Sequence, residues 1–242
     1  MKKIGFIGAF DKANFIMCVA KILENLSYNV LVVDTSCLQK MKYIIPSVNP
    51  TKSYITNFEN IDFAVGFYNW EDIEKYLGIK FDSNEENKDE KKENNLENKT
   101  SYDYVLLDID SPEALEEFDA YNFDKKYFVT SFDVYSLKKG LNIFRQTNKD
   151  FALTKIMFSY EATKENEEYL NFISLEYNLN WNEYAIYFQI LGEDNKVFEE
   201  NQRMEKIRFK RLSFGYKESL AYVIQDINKT ENSGKIKKAM RD

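Results

Sequence analysis

Residues 2–34 read KKIGFIGAFDKANFIMCVAKILENLSYNVLVVD, and this stretch decides the fold. Lys3 to Ile7 is a short apolar run. Gly8-Ala9-Phe10-Asp11 interrupts it as a turn. Over residues 12–26, Phe15, Ile16, Val19, Ala20, Leu23 and Leu26 recur at helical spacing. Residues 29–34, NVLVVD, are β-rich and end on a carboxylate. Two apolar strands around one helix make a βαβ unit, whose parallel sheet is buried on both faces.

The pattern continues outward. Ile61 to Val65 reads as a short strand, and Asn69 to Leu77 as an amphipathic helix with Trp70 and Ile73 on one side. Residues 102–110, YDYVLLDID, are a buried strand ending in Asp108 and Asp110. A helix follows from Pro112, with Asp110 as its expected cap. Strands are expected at 126–131, 151–160 and 181–191, and helices at 134–146, 164–177, 195–206 and 216–228. The expectation is one doubly wound α/β domain over residues 1–229, with a mostly parallel central sheet. Residues 83–100, SNEENKDEKKENNLENKT, contain a single apolar residue, Leu96. Such a segment cannot offset its ordering entropy, so it reads as a disordered surface insertion. Residues 230–242 read as a flexible basic tail.

Composition narrows the chemistry. The 242 residues are 44% hydrophobic and 30% charged, enough for a sizeable core. There is no histidine, which excludes Ser-His and Cys-His nucleophile pairs and His-ligated zinc within this chain. Cys18 and Cys37 form no C-x-x-C pair and read as buried thiols in a reducing compartment. The net charge of −7 argues against a generally cationic nucleic-acid surface, while leaving room for a local patch. No apolar run reaches the roughly 18 residues of a membrane span, and no signal peptide is visible. A cytoplasmic protein is expected.

Three features in this order resemble the ParA/MinD family of P-loop ATPases. They are the strand–loop–helix KIGFIGAFDKANFIMCVAKIL with a lysine at the loop end, the strand VLVVD, and YDYVLLDID followed by Ser-Pro. The segment FQILGEDNKVFEENQ resembles the family's stretch beyond the last strand, which borders the adenine pocket and here contains Asn201. The resemblance implies a P-loop NTPase fold and a homodimer closed over nucleotide.

The loop departs from the family's pattern, Lys-Gly-Gly-x-Gly-Lys-Thr-Thr/Ser. A P-loop holds phosphates on backbone N–H groups, with a lysine on the β/γ-phosphates and a hydroxyl on Mg²⁺. Here the residues are Ile7-Gly8-Ala9-Phe10-Asp11-Lys12-Ala13-Asn14. Gly8 and Lys12 match. Ile7 replaces the lysine that reaches the partner's phosphates, Asp11 replaces a glycine, and Ala13 replaces the Mg²⁺-binding hydroxyl. After the second strand, Asp34-Thr35-Ser36 stands where the family has Asp-x-Asp. Phosphoryl transfer rests on positioning and electrostatics, so these losses imply a degenerate site that binds ATP or ADP weakly at most. No catalytic or metal-ligating residue is assigned.

The candidate nucleotide-binding residues are Gly8, Asp11, Lys12, Ala13, Asn14, Asp34, Asp108 and Asn201, each with a plainer alternative. Lys12 is a phosphate ligand or a first-turn lysine paired with Asp11. Asp34 and Asp108 are site carboxylates or relics that cap helices. Asn201 is an adenine neighbour or a surface asparagine. Lys206, Arg208, Lys210 and Arg211 alternate with Ile207 and Phe209, which in a strand puts the charges on one face. That face is a phosphate or partner patch, or simply solvated. In the tail, Ile236 and Met240 alone make too narrow an apolar face for a membrane anchor.

Three functions compete at this level. The first is a non-catalytic positioning or assembly adaptor, with TadZ-like proteins as the analogy, acting through protein partners and dimerising without ATP. The second is an active but atypical ATPase for DNA partition or cell-division placement. The third is a structural interaction protein whose pocket is filled by Phe10 and binds no nucleotide.

Overall fold

The computed structural model describes residues 1–46, 53–81, 101–145, 151–161 and 164–241. The expected insertion at 83–100 lies outside the described residues. Among the described residues, eight strands form one sheet: β1 (Lys2–Ile7), β2 (Val30–Asp34), β3 (Tyr54–Phe58), β4 (Ile61–Val65), β5 (Tyr104–Ile109), β6 (Lys125–Ser131), β7 (Phe151–Ser159) and β8 (Leu179–Gln189). Their order is β3-β4-β2-β5-β1-β6-β7-β8. All neighbours are parallel except β3, which runs antiparallel to β4. The α/β class and the mostly parallel sheet follow the sequence expectation.

Alternating side chains divide the core into two layers. Ile4, Phe6, Val30, Val32 and Leu106 point to one face, where they meet α1 (Ala13–Asn25), α7 (Gly192–Arg203), α8 (Phe214–Ile227) and α9 (Ser233–Ala239). Ile7, Leu31, Val33, Val105 and Leu107 point to the other. There they meet α3 (Trp70–Leu77), α4 (Pro112–Glu117), α5 (Val134–Asn142) and α6 (Lys164–Ile173). A short α2 (Met41–Ile44) follows β2.

Four local readings are corrected. The antiparallel β3 was not expected, because its hairpin to β4 turns on Glu59-Asn60 rather than on glycine. Both residues adopt left-handed backbone, at φ 55° and 63°. The tail is not frayed: α9 forms, capped by the Asn232 side chain on the Gly234 N–H, and Ile236 is fully buried against the core. Asp110 does not cap α4. Ser111 does, accepting from the Ala114 N–H at 3.2 Å, while Asp110 accepts from the Cys37 N–H at 2.9 Å. Residues 204–211 form no strand; Ile207 and Phe209 are buried in an irregular segment. Of the two thiols, Cys18 is buried and Cys37 exposed.

Candidate functional site

In a parallel sheet every strand delivers its carboxyl end to one edge, where α/β folds bind ligands. β1, β2 and β5 bring Gly8, Asp34 and Asp108 together there. Asp34 and Asp108 are direct partners across the β2–β5 ladder, so two carboxylates stand side by side at that edge.

Gly8 bridges the loop to the sheet. Its N–H donates to the Ile109 carbonyl at 2.9 Å. Its φ is +150°, and a Cβ there would lie 2.1 Å from the Val129 carbonyl oxygen of β6. Glycine is therefore required by close backbone approach.

Lys12 turns inward. Its Nζ donates to the Gly8 carbonyl at 2.7 Å and lies 2.6 Å from Asp108 Oδ1. The Lys12 side chain is 2% exposed. Burial pushes the Asp108 carboxyl up, to about 7, against the opposing pull of Lys12. Burial also raises Asp34, whose oxygens accept from the Ser36 hydroxyl (2.6 Å), the Ser36 N–H (3.0 Å) and the Met41 N–H (3.0 Å). Asp34 thus ties down its own loop and the first amide of α2.

Asp11 does not pair with Lys12. One oxygen accepts from the Ala13 N–H at 3.2 Å and the other forms an ion pair with Lys40. A carboxylate therefore holds the first amide of α1, where a phosphate would need it. Ala13 is buried at the start of the helix and offers no hydroxyl. Phe10 stacks on Phe158 at the end of β7, with centroids 4.6 Å apart, and Phe158 stacks in turn on Phe188 of β8 at 4.8 Å.

Asn14 and Asn201 line one cavity, and Lys12 does not take part in it. Asn14 Oδ1 accepts from Gln202 Nε2 at 2.9 Å, and Asn201 Nδ2 donates to the Arg208 carbonyl at 3.0 Å. Both line a cavity of only about 20 Å³ between α1 and α7. The sequence reading named Ser36 only as a lost carboxylate, not as the partner of Asp34, and missed Lys40 and Gln202. The Asp-x-Ser spacing of a side-chain-capped turn signals Ser36, whereas Lys40 and Gln202 reach the site from distant positions without a local pattern.

This sheet order, with a loop-to-helix turn after its central strand, is a fold similar to that of P-loop NTPases of the ParA/MinD type. One structural neighbour is a candidate plasmid partition protein from Borrelia burgdorferi B31 bound to AMPPNP, with a TM-score of 0.53 and 13% identity over 94% of this chain and 100% of that one. A chain of the MinC:MinD cell division protein complex of Aquifex aeolicus matches with a TM-score of 0.56 and 11% identity, over 96% of this chain and 97% of that one. MinD of the same organism by itself gives 0.55 and 12%, over 96% and 98%. No protein-family model and no curated sequence matches the chain.

Proposed function

We infer that this chain is a ParA/MinD-like protein with a degenerate nucleotide site, acting as a non-catalytic positioning or assembly adaptor in the cytoplasm. The observation that carries the reading is the buried Lys12–Asp108 ion pair closed onto the Gly8 carbonyl. A triphosphate would have to extract Lys12 from a carboxylate, displace Asp11 from the helix amide and find Mg²⁺ without a Ser or Thr at position 13. The residues present fit Mg²⁺–ATP poorly. The stacking of Phe10 on Phe158 favours the related reading in which no nucleotide binds at all.

With catalysis weakened, function passes to protein contacts. The MinC:MinD neighbour supports a protein partner by analogy of fold, and fold alone does not fix function.

The test is calorimetric titration of ATP and ADP, with and without Mg²⁺, into wild type and into the doubly neutral variant Lys12→Met/Asp108→Asn. The expected result is no heat, or weak heat independent of Mg²⁺, with no ATP turnover. Micromolar Mg²⁺-dependent binding with turnover that the variant loses would establish the atypical ATPase instead.

A further inference from the structure

Two basic segments separated in sequence meet in one cleft. The irregular segment after α7 supplies Lys206 and Arg208, and the end of α9 supplies Lys238 and Arg241. The cleft holds about 950 Å³ and lies at the carboxyl end of α1, opposite the end that carries Lys12. Thirteen residues of helix separate the two places by about 20 Å.

Charge in this cleft runs against that of the chain. Its two lining carboxylates, Glu59 and Glu231, are already engaged. Glu59 faces Lys21 at 3.5 Å; Glu231 faces Lys235 at 3.8 Å and accepts from the Tyr28 hydroxyl at 2.9 Å. Among the described residues, no carboxylate forms an ion pair with Lys206, Arg208, Lys238 or Arg241. Among the described residues, four cations that form no carboxylate ion pair therefore line one concavity in a chain of net charge −7.

The plain alternative is that cations complement helix carboxyl ends. It accounts for Lys238 and Arg241, beside the last turn of α9. It also touches Lys206, whose N–H bonds the Asn201 carbonyl in the last turn of α7, but it does not account for Arg208, five residues past that helix, or for the meeting of both helix ends in one cleft. Leu26, the buried Ile207 and Ala239 also line the cleft. A concave site lined by cations with some apolar side chains suits a compact ligand better than a flat duplex or bilayer. Guanidinium groups add bidentate phosphate recognition.

We propose that this cleft binds a free, multiply phosphorylated small molecule, separately from the Lys12 loop. The probe is inorganic tripolyphosphate, titrated calorimetrically into the full chain at low ionic strength. Wild type is expected to bind, and added salt to weaken binding. Lys206→Gln/Arg208→Gln, at exposed positions, is expected to weaken binding about tenfold or more without changing the melting temperature of the free protein. Lys12→Met/Asp108→Asn is expected to leave binding unchanged. The proposal is overturned by absence of heat up to millimolar probe, or by loss of binding in the Lys12→Met/Asp108→Asn variant. Binding to phosphatidylglycerol vesicles or duplex DNA that tripolyphosphate does not displace would overturn it too, in favour of a lipid or nucleic-acid surface.

Discussion

The Lys12–Asp108 pair carries the chemistry at the residue scale. A buried pair is held together by mutual need, and removing one member leaves an uncompensated charge. Lys12→Met is expected to destabilise the fold by about 3–5 kcal/mol, and Lys12→Met/Asp108→Asn to recover much of that loss. The sign with pH follows from Asp108, raised by burial to about 7 in the folded chain. Its contribution is fully present below the unfolded-state value and is lost as pH rises through about 7. Without Lys12 the carboxyl rises further, so the single variant should lose more stability at pH 8 than at pH 5.5. Urea denaturation at both pH values checks this; equal losses at the two would contradict it. Gly8→Ala forces a Cβ against the Val129 carbonyl and should cost more than about 2 kcal/mol in the same assay.

Elements are held by side chains that cross between layers. Asp226 of α8 accepts from Lys125 Nζ and the Tyr127 hydroxyl of β6, each at 2.7 Å, and from the Tyr184 hydroxyl of β8 at 2.5 Å. Burial alone would raise its carboxyl, but these donors win and hold it below the usual value. A lowered carboxyl contributes stability above its unfolded value and loses it as pH falls through the folded one. Asp226→Asn should therefore flatten the acid limb of the stability–pH curve, read by thermal denaturation between pH 3 and 7. In α9, Ile236→Ala removes a fully buried side chain and is expected to cost about 2–5 kcal/mol. A frayed tail would show a change near zero. The legibility of these elements tracks their signals. The strand–helix–strand of residues 2–34 was readable because apolar periodicity switches from strand to helix and back. β3 was not, because Glu59-Asn60 carries no glycine. Nor was α9, because one buried isoleucine among lysines shows no period until α1 and α8 lie beside it. At the loop, the substitutions at Asp11 and Ala13 were legible as losses, whereas the contacts replacing them depend on Lys40 and Asp108, distant in sequence.

Across the whole molecule, polarity separates into two ends. The carboxyl edge of the sheet holds buried carboxylates and one captive lysine, and the opposite end holds the cationic cleft. If nucleotide has lost its grip on the first end, assembly should not depend on it. The oligomeric state measured by light scattering across a concentration series is expected to be the same with and without Mg²⁺–ATP, and an ATP-induced shift in mass would count against the adaptor reading. The sheet order has a further consequence. β1 lies between β5 and β6, its partners on either side, which end at Ile109 and Ser131. On the ribosome, the first strand to emerge must wait for residues more than a hundred positions later. At synthesis rates of roughly 5–20 residues per second, that delay is on the order of ten seconds. During that time α1 and β2 have no finished sheet to cover, and their apolar faces remain open to whatever holds nascent chains. A chain stopped before Lys125 would lack one side of its central strand, so the fold is completed only once β6 has been made.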